Sequence, residues 1–527
     1  MGAAAAVFGS TASRALLAAA AGAGVSLALV HTWAWAATLL GLALLVALIR
    51  HVSPGRAAWV GLAFGSAWVG AATWWLFISM HHYGGMLAPV AALAVALLAL
   101  VMGAYVALAC AAFARWKSRR HGARDALFFA LLWLLAELAR ARLFTGFPWG
   151  ASGYTQIDGP LAALAPWIGV YGIGFVVALI AALVVLVHGA LWKRVLPLLA
   201  LVIAPLAAWD FTRPSTSAST PAALRVSLLQ TNIPQKEKFD ARRLKDNMRE
   251  LQATVATAKG TLVVVPETAI PLLPQDLGPE GFAGFEAPFP DARRGALVGL
   301  PLGDFERGYT NSVAGFGGGP FDAARDRPRP DGAARYHYDK HHLVPFGEFI
   351  PFGFRWFVDL MHIPLGDFAR GPLVAPSFRI AGQRVAPNIC YEDLFGEELA
   401  LRFGPAGDAP TIFANVSNIA WFGDTIAIDQ HLNISRMRTL ELQRPMIRAT
   451  NTGATAVIDH TGRVTAALPR LTKGVLDATV EGREGVTPYA QWIAAGGGVW
   501  PLALGAAVLA ALLALARRDF RAPVEGV

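Results

Sequence analysis

The run TLVVVPE, residues 261–267, decides how the middle of this chain folds. Four consecutive apolar side chains, three of them β-branched, closed by a proline, are too short for a helix and match a strand buried on both faces. The same pattern recurs outward from it. Leu224 to Asn232, Gly295 to Pro301, Thr310 to Phe316, Arg384 to Ile389 and Thr411 to Val416 read as further strands, and Ala449 to Ile458 closes the series. Leu244 to Ala258 and Ile426 to Leu442 carry the 3.6-residue spacing of helices. Strands alternating with amphipathic helices specify an α/β domain. The Pro- and Arg-rich stretch from Phe321 to Pro330 reads as an exposed loop and Gly317-Gly318-Gly319 as a turn. Those glycines are not a phosphate cradle, because no helix opening on Lys-Ser or Lys-Thr follows.

Around this domain the composition changes. The chain has 527 residues, 55% hydrophobic and 15% charged, with a net charge of +9 and a mean hydropathy of +0.46. Such a balance excludes both a disordered chain and an ordinary soluble globule. Phe211 to Ala494 holds 30 basic and 30 acidic residues, so the surplus charge lies entirely in the flanks. That places the basic excess in membrane-flanking loops and argues against a nucleic-acid surface. Apolar runs near 12–30, 32–49, 57–80, 86–114, 124–141, 165–190, 194–210 and 495–516 are read as eight spans, a helical membrane bundle. The first could instead be a signal peptide after Arg14, but the spans behind it favour retention.

Three parts follow: a membrane domain of seven spans at 1–210, an outward-facing domain at 211–494, and the eighth span with a cytoplasmic tail at 495–527. The orientation rests on Arg50 and Arg56, on the cluster from Arg115 to Arg124, on Lys193 and Arg194, and on Arg517, Arg518 and Arg521. These mark alternate loops as cytoplasmic. Glu137 is the one carboxylate deep in an expected span, and Arg140 and Arg142, about a turn away, point to a local ion pair near the interface. No chain of charged residues suggests a pump.

Only Cys110 and Cys390 are present, which argues against a disulfide framework or a cysteine zinc site. Three polar residues stand at strand ends: Glu267 after LVVVP, Lys340 in YDKHHLVPFGE, and Cys390 after VAPNI. Singly, each is ordinary: a buried small hydrophobe or a snorkelling surface residue. Together they are a thiol, a base and a cation, which is what nucleophilic thiol chemistry needs. A Cys–His pair using His337, His341, His342 or His431 competes, and spacing does not separate the two.

The set PET, KHHLVPFGE, NICYED and NVSNIAWFG, with LQTNIPQ before it and RATNTGATAVID after it, resembles the apolipoprotein N-acyltransferases, a membrane-embedded branch of the nitrilase superfamily. FPWGASGYTQ and QH…RMRTLELQRP extend the resemblance over essentially the whole chain. It implies a nitrilase αββα sandwich, a catalytic triad of Glu267, Lys340 and Cys390, an additional active-site Glu348, and Tyr391 and Glu392 after the nucleophile. It further implies transfer of a fatty acyl chain from a phospholipid, typically phosphatidylethanolamine, to the α-amino group of the S-diacylglyceryl-cysteine of an apolipoprotein. A Cys thioester would be the intermediate, the bacterial inner membrane the location and the periplasm the side of the catalytic domain. No metal or organic cofactor is expected.

Thr231, Phe239 and Ile419 depart from the family's common glycine, tryptophan and acidic residue. Phe147, Trp149, Phe239, Trp421 and Phe422 are expected to face lipid or substrate, with core packing as the alternative for the Phe147–Trp149 and Trp421–Phe422 pairs. Two other functions stay open: a membrane-anchored amidase in which water resolves the acyl-enzyme, and a non-enzymatic scaffold or transporter.

Overall fold

The computed structural model describes residues 10–118, 121–187, 216–306, 308–318, 336–353, 355, 367–496 and 498–516. The chain divides into two compact units. One comprises residues 1–74, 89–213 and 496–527, and the other residues 75–88 and 214–495.

The first unit is helical. Among the described residues, three helical segments are long and apolar enough to cross a membrane: Thr32–Ile49, Ala88–Trp116 and Pro160–Leu186. The number reaches five if two bent helix pairs, Pro54–Thr73 with Leu76–Tyr83 and Pro488–Gly496 with Trp500–Leu515, each count as one span. The expected count of eight is therefore not met here, for identifiable reasons. Thr11–Leu27 has 17 residues, about 25 Å of helix against a hydrocarbon core of about 30 Å. Gly122–Arg142 carries Arg124, Asp125, Glu137, Arg140 and Arg142. The expected span at 194–210 lies outside the described residues.

Leu93, Leu97, Leu100, Val101 and Leu108 on Ala88–Trp116 are exposed, as are Leu504, Val508 and Leu512 on Trp500–Leu515. Helices that turn leucine outward and small residues inward suit a lipid solvent. A Cβ on Gly65 would stand 2.9 Å from the Cα of Gly103, so that contact requires glycine.

Glu137 forms the expected ion pair with Arg140 and holds a loop as well. It is buried, and its carboxylate accepts from the Ser152 N–H at 2.7 Å and the Ser152 hydroxyl at 2.9 Å. Arg140 stands 3.9 Å away and donates mainly to the carbonyls of Phe147 and Trp149. The pair ties down the FPWGAS loop.

Among the described residues, the second unit contains two six-stranded sheets. Strands β1 (Ser217–Gln230), β2 (Leu262–Val264), β3 (Gly295–Asp304), β4 (Gly308–Gly317) and β5 (Tyr336–Asp339) belong to the first. The second holds β6 (Phe378–Ile380), β7 (Gln383–Ile389), β8 (Ile412–Ser417), β9 (Met446–Thr450), β10 (Ala456–Ile458) and β11 (Val464–Ala467). Strand β12 (Gly474–Glu484) returns to the first, giving the orders β12-β1-β2-β3-β4-β5 and β11-β10-β9-β8-β7-β6. The centres β1-β2-β3 and β7-β8-β9 are parallel.

Alternation along each strand divides its side chains between two cores. Leu262 and Val264 join Ile389, Ile412, Val416 and Ile447 between the sheets. Val263 and Val265 face outward with Val298, under Met248, Leu251, Val255 and Phe285 from the helices Ala241–Thr257 and Pro274–Glu286. The helix Ala427–Leu442 packs on β9. This is an α/β domain, as the strand pattern implies, with the four-layer αββα arrangement that the resemblance implies.

The single closing strand expected at 449–458 is two, β9 and β10, paired antiparallel with Met446 opposite Ile458. Strands β5, β6, β11 and β12 were not anticipated, and the expected loop at 321–330 lies outside the described residues. At the expected glycine turn, Gly317 and Gly318 have φ of +64° and +84°.

Candidate active site

Parallel strands of an α/β sheet bring their carboxyl ends to one edge, where sites form. Here Glu267 follows β2, Lys340 follows β5, Cys390 follows β7 and Asn418 follows β8. Residues separated by more than a hundred positions meet because the two parallel centres face each other.

Glu267 is buried and held at both oxygens. Oε1 accepts from Asn311 Nδ2 at 2.7 Å and lies 3.4 Å from Lys340 Nζ, while Oε2 accepts the Asn418 N–H at 2.8 Å. Lys340 is fully buried, and its ammonium also donates to Glu348 Oε1 at 2.9 Å. Glu348 is fixed in turn by Asn311 Nδ2 at 2.6 Å and by the Val344 N–H at 2.8 Å. Burial works against the Lys340 charge, but Glu348 and Glu267 outweigh it and hold the group above the ordinary lysine range.

Cys390 begins a 3₁₀ turn with φ of +50°, a left-handed conformation that is rare for a residue with a Cβ and concentrates at functional positions. Burial, then the facing Glu267 charge, push its thiol up to about 12, against the pull of Lys340. The thiol is thus protonated at neutral pH, and a nearby base must remove its proton during attack rather than beforehand.

Glu392 organises the approach of the two sheets. Oε2 accepts from Tyr338 Oη and the Ile389 N–H, both at 2.7 Å, and Oε1 from the N–H groups of His341 at 2.7 Å and His342 at 3.2 Å. One carboxylate therefore clamps the segment after Lys340 to the residue before Cys390. Burial raises its pKa, and the donors from Ile389 and Tyr338 oppose that rise. Tyr391 is buried, its ring packed on Phe395 and His342.

The histidines are engaged elsewhere. His337 pairs with Asp339, His341 Nδ1 lies 2.8 Å from the Gly371 carbonyl, and His342 pairs with Glu398. His431 Nε2 lies 3.0 Å from the Cys390 carbonyl, and its Nδ1 lies 3.0 Å from Arg448. Burial, then Arg448, hold its pKa well below the ordinary value, so the ring is neutral, accepts from Arg448 and donates to Cys390 O. This geometry favours the carboxylate over an imidazole as partner of the thiol.

Of the residues expected to face lipid or substrate, Phe239 is half exposed. Trp421 and Phe422 are half-buried: Phe422 lies 4.3 Å from Trp75 and Trp421 6.0 Å from Tyr83, ring centre to ring centre. Trp149 is buried in the helical unit, in keeping with the packing alternative, and Phe147 is half-buried there. Of the departing residues, the Thr231 hydroxyl donates to Asn451 Oδ1 at 2.7 Å, and Ile419 is buried.

Two family models match the chain: the apolipoprotein N-acyltransferase N-terminal domain over residues 21–183 and carbon-nitrogen hydrolase over residues 329–490. An apolipoprotein N-acyltransferase of Verminephrobacter eiseniae is 49% identical over 485 residues, covering 87% of this chain and 88% of the relative. One from Ralstonia nicotianae is 47% identical, covering 92% and 90%. The chain belongs to the apolipoprotein N-acyltransferase family. Among solved structures, a carbon-nitrogen hydrolase of Helicobacter pylori aligns with a TM-score of 0.34 and 17% identity over 53% of this chain and 94% of that one.

Membership in the acyltransferase family makes the protein an enzyme and sets aside the scaffold or transporter reading. Sequence reasoning missed Asn311 and Asn418, which hold the Glu267 carboxylate, and Lys238, whose Nζ donates to the Glu267 carbonyl. The polar Asn311 inside a strand was a legible signal, and Asn418 lies in the NVSNIAWFG motif. Lys238 had no signal beyond its place next to Phe239.

Proposed function

We propose that the protein transfers a fatty acyl chain from a phospholipid, phosphatidylethanolamine in the simplest case, to the α-amino group of the N-terminal S-diacylglyceryl-cysteine of apolipoproteins. The observation that carries this reading is the convergence of Glu267, Lys340 and Cys390, with the Glu267 carboxylate locked between Asn311 and the Asn418 N–H.

Glu267 takes the thiol proton as Cys390 Sγ attacks the ester carbonyl. The C–S bond forms, the carbonyl π pair moves to oxygen, and Lys340 with a backbone N–H beside Cys390 stabilises the oxyanion. Collapse breaks the C–O bond, the glycerol oxygen takes the proton from Glu267, and lysophospholipid leaves a thioester on Cys390. Glu267 then accepts a proton from the incoming amine as its nitrogen attacks the thioester; the C–N bond forms, the C–S bond breaks on collapse, and Glu267 returns that proton to the Cys390 sulfur, which leaves as the thiol. Glu348 positions Lys340, while Tyr391 and Glu392 position the nucleophile turn.

We place the enzyme in the bacterial inner membrane with eight spans and the catalytic domain in the periplasm, on the distribution of basic loops and the exposed leucines of the helical unit. Phe239, Trp421 and Phe422 are the aromatic groups proposed to meet the acyl chains. Purified protein incubated with phospholipid carrying a labelled acyl chain tests the reading: label on Cys390 as a hydroxylamine-sensitive thioester supports it, and an unlabelled wild-type enzyme refutes it.

A further inference from the structure

A second buried lysine belongs to this site. Lys238 is buried at 4% exposure, and its Nζ donates to the Glu267 carbonyl at 3.1 Å. Among the described residues it makes no ion pair, although an ammonium carries three donors. The groups that face it electrostatically are Glu267 and Cys390. On its own turn, Lys236 is exposed and Glu237 pairs with Arg243 at 2.7 Å.

The turn that carries Lys238 is built rather than loose. Asn451 accepts from the Ile233 N–H at 2.9 Å and donates to the Ile233 carbonyl at 2.8 Å, and Asn418 Nδ2 donates to Gln235 Oε1 at 3.0 Å. Asn451 Nδ2 also reaches Asn418 Oδ1 at 3.0 Å. The asparagine whose N–H holds Glu267 therefore also holds the Lys238 turn.

The charges show why the site needs this group. Lys340 already serves two carboxylates, Glu348 at 2.9 Å and Glu267 at 3.4 Å. With these three alone the site is negative by one charge, and as Glu267 takes the thiol proton that charge moves onto the acyl oxygen, where it needs a donor. Lys238 restores neutrality and brings donors not engaged by Lys340's partners. We infer that Lys238 is a further catalytic residue, whose ammonium donates a hydrogen bond to the acyl oxyanion formed when Cys390 attacks. No proton leaves Lys238 in the step, and the oxyanion's pair returns to re-form the carbonyl on collapse.

This inference rests on the thioester reading above, and its test separates the two. Single-turnover labelling of Cys390 from an acyl-labelled phospholipid, without acceptor, is followed against pH for the wild type, Lys238→Met and Lys238→Arg. Burial lowers the Lys238 pKa to about 8, with Glu267 and Cys390 opposing the fall. The ammonium is present below that value and lost above it, so wild-type acylation should decline as pH rises through it.

Lys238→Met should acylate about a hundredfold more slowly, the scale of a lost oxyanion donor. Lys238→Arg should regain part of the rate and carry its alkaline limb to higher pH, because guanidinium keeps its proton. A residue that only pegged the Glu267 carbonyl would not move that limb, and titration of the donor's headgroup is common to all three proteins. Wild-type rates in Lys238→Met, or an unmoved limb in Lys238→Arg, would overturn the inference while leaving the thioester intact. No label on the wild type would refute both.

Discussion

Replacing Glu267 by glutamine separates the base from the cradle that holds it. The carboxylate only accepts, and its neighbours are all donors: Asn311 Nδ2 at 2.7 Å and Lys340 Nζ at 3.4 Å on Oε1, and the Asn418 N–H at 2.8 Å on Oε2. A glutamine must aim its NH2 at one of these sets. Toward Asn418 it opposes a backbone donor; toward Asn311 it opposes an amide and an ammonium. Either way a buried donor is stranded, at a cost of about 1–3 kcal/mol.

The chemical loss should be larger. Without a proton acceptor the acylation rate should fall by about a hundred- to ten-thousandfold, roughly 3–5 kcal/mol of barrier. The assay is Cys390 labelling in a single turnover at a temperature where the variant is folded, with thermal unfolding measured in parallel. Substitutions at His337, His341 and His342, and His431→Gln, which can still donate to the Cys390 carbonyl, should each cost much less. A Glu267→Gln enzyme within about tenfold of wild type, below the range of a lost base, or a histidine variant equally inactive, would refute the assignment.

Cys390→Ala should abolish both label capture and turnover, whereas Cys110→Ala should leave both nearly intact, since Cys110 is buried among helices of the other unit; equal losses would make both thiols structural. Trp75→Ala removes a buried ring that lies against Phe422 and donates to Gln430 Oε1 at 3.1 Å. It should destabilise the catalytic unit by about 3–5 kcal/mol in detergent unfolding, and an unchanged transition would show that residues 75–88 do not support it. Reporter fusions after Lys259 and after Arg521 should read opposite sides of the membrane, and matching compartments would overturn the orientation.

Much of the sandwich was legible because β2, β7 and β8 are buried on both faces, which makes β2 a continuous apolar run and leaves β7 and β8 mostly apolar. The edge and half-exposed strands were harder. Strand β11 alternates half-buried and exposed residues over four positions, too few to stand out from a loop. Strand β12 does alternate, but its GVLDATVEGRE mixes charge with glycine and shows its role only in register with β1, Leu224 opposite Val480 and Leu229 opposite Val475.

The site divides the same way. Glu267 and Cys390 stand out after the apolar runs LVVVP and VAPNI, and Lys340 in YDKHHLVPFGE. The cradle of Asn311 and Asn418 depends on which strand ends converge, and that is a property of sheet order. In the helical unit the apolar composition was legible, but Thr11–Leu27 is short and Gly122–Arg142 is charged, so composition alone does not fix the number of spans.

The central claim is that an amine, not water, resolves an acyl-enzyme on Cys390. The measurement that tests it most directly follows label from phospholipid in two stages. Wild-type enzyme should first hold label on Cys390 with release of lysophospholipid, then pass it to the amino group of an added diacylglyceryl-cysteine peptide. An N-acetylated peptide, having no nucleophilic amine, should leave the label on the enzyme, and the full reaction should show ping-pong kinetics. Label appearing rapidly as free fatty acid, with or without the peptide, would identify a hydrolase and contradict the account.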